Sequence, residues 1–418
     1  MLSPVVLGVK ESKARTWGWV DNPTLTWKDI AAKAGAGELG FAMTNPPSSN
    51  SGFTALVGVV AALSGSTDEF RAEAVNKEQL QAFFRGQKLT AGSSGWLAEN
   101  YVREQDRLDG IINYESVLLQ LNAGGKLKEK LYLVYPREGI ITADYPLMLV
   151  NESKRPAYEK LVAYLRSPEF QQQIVEHTQR RPVLPQLPLP AQVPKQVLVE
   201  LPFPSTLEVL DHILFSYLDE QRMPSHPFFV LDLSGSMEGE RLTQLKIAMK
   251  NLTGLDQTLT GRFARFRSRE RITILTFNDQ IDGMPQFFTE LGSEQPNSMS
   301  QMRGFVDGLR ASGKTAIFAA LLRAYELAQQ AQVQDPARYY SIVLLTDGEN
   351  TAGPSLAQFI QRYVSLPDAV RQIKTFTVVF GEADRGDMEQ IAELTGGRTF
   401  DGRKQSLSEI FKTIRGYQ

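Results

Sequence analysis

The chain has 418 residues, of which 42% are hydrophobic and 22% are charged, with a formal net charge of −2 and no cysteine. This length predicts about two or three domains, and the composition is typical of a globular protein. The nearly balanced charge gives no electrostatic basis for binding nucleic acid or an anionic membrane. Without cysteine, disulfides, thiolate chemistry and Cys-based zinc sites are excluded.

Neither a membrane span nor a signal peptide is predicted. Residues 53–63 form the longest apolar stretch near the start, but this stretch is too short and too rich in Gly and Ala to cross a bilayer. Met1 is followed by Leu2-Ser3-Pro4, without the basic segment and long apolar segment of a signal peptide. The absence of cysteine fits both a cytosolic protein and an exported bacterial one, so composition leaves the compartment open.

The first half of the chain has a mixed pattern of strands and helices. Runs of apolar residues predict strands at residues 5–9, 39–44, 111–114, 131–135 and 145–150. Apolar residues at helical spacing predict helices at residues 27–34, 53–63, 156–166 and 169–178. We therefore expect an α/β domain here.

A proline-rich stretch at residues 181–205 separates this half from the rest of the chain. Its prolines exclude a helix and favour an extended connector. The apolar residues among them favour packing along a domain over a free linker; these are Val197, Leu198, Val199 and Leu201. Beyond the connector, apolar residues at helical spacing predict a helix at 206–221 that docks the second half to the connector.

In the second half, strands and helices alternate. The predicted strands are residues 228–233, 271–277, 339–346 and 374–380. The predicted helices are residues 241–252, 298–309, 316–330, 356–363, 387–394 and 407–414. Continuous apolar strands between helices indicate a doubly wound, mostly parallel sheet with both faces covered. Ligands of such sheets bind outside the carboxyl ends of the strands.

Oxygen-bearing side chains follow two of these strands. The first strand runs into Asp232-Leu233-Ser234-Gly235-Ser236, and the third ends at Asp347-Gly348. Thr315 lies directly before a predicted helix. Carboxylate and hydroxyl oxygens are ligands that Mg²⁺ prefers. The alternative is that the aspartate and serines only cap the following helix. The joint occurrence of all five residues at element ends favours a metal site.

This combination of motifs resembles the metal-ion-dependent adhesion site of von Willebrand factor A domains. The resemblance implies a Rossmann-like fold, direct coordination of the ion by both serines, and coordination by the threonine and the two aspartates directly or through water. With so few charged ligands, the ion keeps an open coordination position and part of its positive charge is not neutralised. A carboxylate of a partner protein would fill that position and neutralise that charge. The implied role is binding, not catalysis.

Other features give little support for an enzyme. Histidine occurs at positions 177, 212 and 226, without a recognisable nucleophile. His226 precedes Pro227, which is typical of a packed residue at the start of a strand. Gly313-Lys314-Thr315 has the end of a phosphate-binding loop, but no strand precedes it as that motif requires.

The arginine-rich run at residues 262–271 alternates cations with Phe263 and Phe266. Such a pattern fits single-stranded nucleic acid. The nearly neutral chain favours instead a solvated connector that its two phenylalanine rings anchor to the core. No nucleic-acid partner is expected.

Residues of about 3–182 resemble part of a type 2 periplasmic or extracellular solute-binding protein, of the class that binds oxyanions such as molybdate or sulfate. The resemblance lies in Pro4 to Val9, Thr26-Trp27-Lys28-Asp29-Ile30, Thr44 to Gly52, Gly110 to Ser116, Ser167-Pro168-Glu169-Phe170 and Arg181-Pro182-Val183. It begins at what corresponds to the crossover strand between two lobes. We therefore expect an incomplete domain, either a fragment of a longer exported protein or a reduced relative, that does not close a ligand cleft by itself.

In solute-binding proteins of this type, a loop between a strand and a helix offers N–H groups and hydroxyls to the ligand, and a helix N-terminus favours an anion. The resemblance gives the candidate ligand residues Thr44, Ser48, Ser49, Asn50, Ser51, Tyr114 and Ser116. For residues 48–51 the alternative is a plain cap and turn cluster.

Three parts are therefore expected: a solute-binding-like α/β domain at 1–182, a connector and docking helix at 183–225, and an A domain at 226–418. We expect Mg²⁺-dependent binding of a protein partner, in adhesion or assembly at the cell envelope, with Mn²⁺ or Ca²⁺ as alternative ions. A periplasmic or extracellular location is implied. One alternative is sensing of a small anion by the first domain, relayed to a partner by the A domain. Another is a cytoplasmic scaffold for an ATPase or chelatase.

Overall fold

The computed structural model describes residues 1–65, 76–189, 193, 198–289, 296–381 and 385–417. The chain forms two compact units, Met1–Ser216 and Tyr217–Gln418. Each unit contains its own sheet with helices, which confirms the predicted α/β fold class. Within the described residues, no helix has both the length and the apolar character needed to cross a membrane.

The first unit is built on a mixed sheet. Its strands are β1 (Leu2–Lys10), β2 (Phe41–Thr44), β3 (Gln87–Ala91), β4 (Gly110–Tyr114), β5 (Leu131–Val134) and β6 (Thr142–Asp144). The strand order is β3-β2-β4-β1-β5, and β6 also pairs with β1. β1 runs antiparallel to β4, β5 and β6, whereas β2 is parallel to β3 and β4.

Helices connect these strands and continue after them. They are α1 (Glu11–Thr16), α2 (Trp27–Gly35), α3 (Asn50–Ser64), α4 (Lys77–Arg85), α5 (Ser94–Glu104), α6 (Glu115–Ala123), α7 (Arg155–Leu165), α8 (Pro168–Thr178) and α9 (Leu207–Ser216). α2 begins with a capping box, in which Thr26 and Asp29 each bind the other's backbone N–H. The start of α3 packs closely against the end of β2. A Cβ built on Gly52 would lie only 2.3 Å from Thr44 O.

The strand predicted at residues 145–150 is wrong. The strand of this region is β6, which pairs Thr142 to Asp144 with the start of β1. The residues that follow are solvated: Met148 is 75% exposed and Val150 is 95% exposed. Pro146 has no N–H to donate to a ladder. The sequence has an apolar run here, which is why a strand was predicted. The sequence could not reveal that no strand pairs with this run in the described residues.

The connector packs on the first unit where it is described, as predicted. Ile140 N–H donates to Val199 O at 3.0 Å, and Leu201 N–H donates to Ile140 O at 2.9 Å. The ring of Phe203 lies edge-on to Phe53, with 5.9 Å between centroids. Residues 190–192 and 194–197, with Pro190, Pro194 and Val197, lie outside the described residues. The helix predicted at 206–221 is α9 followed by a π-helical turn, Tyr217–Gln221.

The second unit is built on a mostly parallel sheet. Its strands are β7 (Ser225–Asp232), β8 (Arg271–Phe277), β9 (Ile281–Gly283), β10 (Gln286–Phe288), β11 (Tyr339–Thr346), β12 (Lys374–Val379) and β13 (Thr399–Asp401). The order is β10-β8-β7-β11-β12-β13, with β9 paired to β8. Only β9 and β10 run antiparallel among the described strands. The strand order reverses between β7 and β11, so the switch point lies there.

Helices lie on both faces of this sheet. They are α10 (Glu240–Lys250), α11 (Leu259–Ala264), α12 (Pro296–Gly308), α13 (Ile317–Gln334), α14 (Leu356–Val364), α15 (Asp368–Arg371), α16 (Arg385–Leu394) and α17 (Leu407–Arg415). Phe228 and Val230 of β7 belong to one apolar cluster with α13. Phe229, which points to the opposite face, packs edge-on against Phe411 of α17 at 5.7 Å. The predicted doubly wound arrangement is therefore confirmed.

His226 is a packed residue of β7, as predicted. It is fully buried, its Nε2 lies 2.9 Å from Thr273 Oγ1, and its ring stacks on Phe228. Burial lowers the pKa of His226 to about 3, and Arg271 and Arg338 add to this effect. The neutral imidazole therefore belongs to the core.

The arginine-rich run 262–271 is not a solvated connector. Phe266 is buried as predicted, but Arg267 is also buried and pairs with Asp219. Glu270, within the run, is fully buried and pairs with Arg222 and Arg415. The prediction failed because three of these partners lie far away in the sequence.

Candidate metal centre

Asp232 ends β7 at the switch point and is fully buried. Its Oδ1 accepts a hydrogen bond from Ser234 N–H at 2.8 Å, and its Oδ2 accepts one from Thr346 Oγ1 at 2.6 Å. These bonds fix the orientation of the carboxylate. Burial raises the pKa of Asp232 to about 6, although the bonds from Thr346 and Ser234 oppose the rise. Nearby Asp347 adds a smaller upward effect on the same pKa.

The two serines of the motif form a continuous chain of oxygens with the second aspartate. Ser234 Oγ lies 3.1 Å from Ser236 Oγ. Ser236 Oγ donates to Asp347 Oδ1 at 2.8 Å, although the two residues belong to loops after different strands. Asp347 is 1% exposed. Three candidate oxygens, two from the loop after β7 and one from the loop after β11, therefore meet at one edge of the sheet.

Thr315 is brought to the same place by its loop. Ser312 N–H donates to Leu233 O at 2.8 Å, and Gly235 N–H donates to Gly313 O at 3.1 Å. A Cβ built on Gly348 would lie 3.5 Å from Ser236 Oγ and 3.6 Å from Thr315 Oγ1. Both hydroxyls therefore lie close to the same backbone position. The structure thus brings all five candidate metal ligands together; we call their side-chain oxygens the oxygen cluster.

Two residues at this site were not found from the sequence. Thr346 binds Asp232, as described above. Arg241 Nη1 donates to Asp347 Oδ2 at 2.5 Å and to Ser236 O at 3.2 Å. One sequence signal could have indicated this arginine: it lies in the first turn of α10, where a cation is opposed by the helix dipole unless an anion is close.

The chemistry of the oxygen cluster fits a hard divalent cation. It has three hydroxyls and two carboxylates; Ser236 is exposed, and the other four residues are buried. Nowhere in the described ranges do three or more His, Cys, Asp or Glu side chains converge as a metal site. Hydroxyl and carboxylate oxygens without nitrogen or sulfur suit Mg²⁺, Mn²⁺ or Ca²⁺ better than softer metals.

The candidate ligand residues of the first unit fall into smaller groups. Thr44 Oγ1 lies 2.9 Å from Ser51 Oγ, and Ser49 Oγ lies 3.2 Å from Ser51 Oγ. Ser49 is the N-cap residue of α3, but its hydroxyl makes no backbone capping bond in the described structure. Asn50 Nδ2 donates to Tyr114 OH at 3.0 Å.

The remaining two candidates have other partners. Ser48 Oγ donates to Asn45 O at 3.1 Å, which makes it part of a turn. Ser116 is buried and its Oγ lies 3.5 Å from Ser3 Oγ. Beside it, the buried carboxylate of Glu115 pairs with Arg181 at 2.7 Å.

Two protein families match separate parts of the chain. The family model for the von Willebrand factor type A domain matches residues 228–413. The model for bacterial extracellular solute-binding proteins matches residues 1–177. These two ranges lie in the second and first structural units, respectively.

Curated relatives match about a third of the chain or more. Inter-alpha-trypsin inhibitor heavy chain H2 of Homo sapiens is 29% identical over 145 residues, which are 34% of this chain and 14% of the relative. Heavy chain H4 of Homo sapiens is 28% identical over 180 residues, which are 42% of this chain and 18% of the relative. The chain therefore spans only a small part of the length of these relatives.

Solved structures resemble about half of the chain. A von Willebrand factor type A protein from Catenulispora acidiphila has a TM-score of 0.37 and 17% identity, covering 47% of this chain and 43% of its own. Proximal thread matrix protein 1 from the mussel byssus, with a zinc-occupied MIDAS motif, has a TM-score of 0.33 and 18% identity, covering 50% of each chain. A periplasmic thiamin binding protein has a TM-score of 0.37 and 15% identity, covering 51% of this chain and 63% of its own.

The family matches agree with both resemblances predicted from the sequence. Residues 1–177 are similar to bacterial extracellular solute-binding proteins, and residues 228–413 are similar to von Willebrand factor type A domains.

Proposed function

We propose that the A domain binds a divalent cation, Mg²⁺ by preference, and uses it to bind an acidic side chain of a protein partner without catalysis. The observation that carries this proposal is the chain of oxygens from Ser234 through Ser236 to Asp347 at the switch point of the sheet. Ligands of doubly wound sheets bind at this position. The match of residues 228–413 to the von Willebrand factor type A domain model supports the same conclusion.

Each residue of the oxygen cluster has a distinct part in this proposal. Ser234, Ser236 and Thr315 would offer neutral hydroxyl oxygens to the ion. Asp347 would offer Oδ1, while Asp232 is held by Thr346 and the backbone, so that it would act through water or directly with a free lone pair. A bound Mg²⁺ would supply a positively charged coordination position for a carboxylate. The protein's part is to hold the oxygens and exclude competing ligands.

The domain arrangement supports a role outside the cytoplasm. We propose a solute-binding-like domain at 1–182, a connector with its helix at 183–225 and the A domain at 226–418. The first of these contains the match to extracellular solute-binding proteins. A cell-envelope adhesion or assembly factor, periplasmic or extracellular, fits both halves.

Calorimetric titration of Mg²⁺ into chelator-stripped protein tests the proposal. We expect saturable binding of one ion per chain and its loss in Asp232→Ala. The matched control is Asp368→Ala, because Asp368 pairs on the surface with Arg371 outside the oxygen cluster. Equal binding by the parent and Asp232→Ala would show that the site has been assigned to the wrong residues.

A second candidate function is binding of a small anion by the first unit. The observation that favours it is the hydroxyl cluster of Thr44, Ser49 and Ser51 at the start of α3, whose N-terminus favours negative charge. Molybdate, sulfate or phosphate should then raise the melting temperature of the parent and not that of Ser51→Ala. Unchanged melting of the parent with all three anions would end this proposal.

A further inference from the structure

Arg241 places a positive charge directly beside the oxygen cluster. Its Nη1 lies 2.5 Å from Asp347 Oδ2 and 3.2 Å from Ser236 O. The two carboxylate oxygens of Asp347 therefore have different partners: Oδ1 accepts a hydrogen bond from Ser236 Oγ, and Oδ2 accepts one from the guanidinium. The side chain of Arg241 is 37% exposed, whereas that of Asp347 is fully buried. The arginine therefore connects the buried site with solvent.

The fold provides a dedicated place for this guanidinium. Gly381 follows β12 with a φ of +67°, and a Cβ built on it would lie 2.9 Å from Arg241 Cζ and 3.0 Å from Asp347 O. A side chain at this position would displace the guanidinium from the carboxylate. Arg241 of α10, Asp347 after β11 and Gly381 after β12 thus lie close together.

The charges at the site decide what Arg241 does. Asp232 and Asp347 bring two formal negative charges toward the two positive charges of the ion, but the carboxylate of Asp347 already pairs with Arg241. Arg241 adds one positive charge, so that the loaded site would carry a net charge of +1. Like charges a few ångströms apart repel even under strong solvent screening.

We propose that Arg241 lowers the affinity of the site for divalent cations and keeps the loaded site positively charged, so that it selects an anionic partner group. This inference rests on the proposed function of the same site. The Arg241 side chain is 37% exposed, so a partner's carboxylate could reach the guanidinium from solvent. Binding of the metal and binding of the partner are thereby coupled, because the partner's negative charge relieves the repulsion.

An opposite role can be distinguished by the sign of the effect. If Arg241 only oriented Asp347, its removal would weaken metal binding, as losses of supporting groups around metal ligands do, by about 10–100-fold. Asp347 has other support: Ser236 Oγ binds its Oδ1 at 2.8 Å, and its side chain is enclosed. Charge repulsion should therefore dominate, and removal of Arg241 should tighten metal binding.

Calorimetric titration of Mg²⁺ into the chelator-stripped full chain tests the inference. Arg241→Gln removes the charge, Arg241→Lys keeps it, and Arg323→Gln is the matched control, because Arg323 is 35% exposed and pairs with Glu326 at 2.9 Å on α13. We expect Arg241→Gln to bind Mg²⁺ roughly tenfold more tightly than the parent. Arg241→Lys and Arg323→Gln should remain within about twofold of the parent.

The possible outcomes separate the inference from the proposed function. Saturable binding by the parent, with unchanged or weaker binding by Arg241→Gln, refutes the inference and leaves the metal site standing. Absence of binding in all four proteins refutes the metal site and the inference with it. Binding by Arg241→Gln alone supports both. Far-UV circular dichroism checks each fold, and Arg241→Met replaces Arg241→Gln if the glutamine variant does not fold.

Discussion

The buried carboxylate of Glu270 binds groups from distant parts of the second unit. Glu270 is fully buried and accepts hydrogen bonds from Arg222 Nη2, Ser225 Oγ at 2.9 Å, Arg267 N–H at 2.9 Å and Arg415 Nη2 at 2.7 Å. Burial alone would raise the pKa of Glu270, but Arg415 and Arg222 outweigh it, so that the pKa is lowered. The ionised carboxylate is thus the counter-ion of two buried guanidinium groups.

Glu270→Gln keeps the size of the side chain but removes its charge. Arg222 and Arg415 are 6% and 5% exposed, so water can compensate little of the loss. Breaking a buried ion pair by removing one partner costs about 3–5 kcal/mol. We expect the free energy of unfolding of the second unit to fall by about that amount.

Urea unfolding followed by far-UV circular dichroism measures this change. All four tryptophans lie in the first unit, so tryptophan fluorescence reports that unit separately. Glu326→Gln is the control, since Glu326 pairs with Arg323 on the surface and its loss should cost no more than about 1 kcal/mol. If Glu270→Gln also lowered the free energy of unfolding by less than about 1 kcal/mol, the result would refute the argument that the desolvated ion pairs of Glu270 with Arg222 and Arg415 stabilise the second unit.

Two further predictions concern residues of the two cores. The pKa of His226 is lowered to about 3 in the folded protein, so His226 binds a proton more readily in the unfolded chain than in the folded one. The free energy of unfolding should therefore fall as the pH drops below about 6.5. The free energy of unfolding should fall by about 2 kcal/mol more between pH 7 and pH 5 in the parent than in His226→Gln; equal pH dependence would contradict a buried neutral imidazole. Gly52→Ala should destabilise the first unit by about 1–3 kcal/mol, because its Cβ would lie 2.3 Å from Thr44 O. The control Gly95→Ala, which has no heavy atom within 4 Å, should not lower the tryptophan-detected melting temperature, and an equal drop in both variants would contradict the steric argument.

The sheet of the second unit could be predicted because its strands are buried on both faces. β8 and β11 have the predicted boundaries, and nearly all of their residues are buried. The two aspartates of the oxygen cluster could be expected together for a related reason, whereas Ser234, Ser236 and Thr315 were candidates because of the motif and its resemblance. Parallel strands carry their carboxyl ends to one edge, so Asp232 and Asp347 could be expected to meet there.

What the sequence did not reveal depends on contacts between distant residues. The run at 145–150 has the composition of a strand, but a strand also needs a partner, which the described structure does not provide. The run 262–271 was predicted to be solvated because Asp219, the partner of Arg267, and Arg415, the partner of Glu270, are far from it in the sequence. Arg241 was missed because its partner Asp347 follows another strand, although a cation in the first turn of α10 was a usable signal.

The central claim is that the oxygen cluster holds a divalent cation. Diffraction from crystals of the full chain grown with Mn²⁺ tests it most directly, because the anomalous scattering of manganese identifies the ion. The proposal predicts one strong anomalous peak within about 2.5 Å of Ser234 Oγ and Ser236 Oγ, beside Thr315 and Asp347. A peak elsewhere, or no peak at this site under saturating Mn²⁺, would contradict the claim.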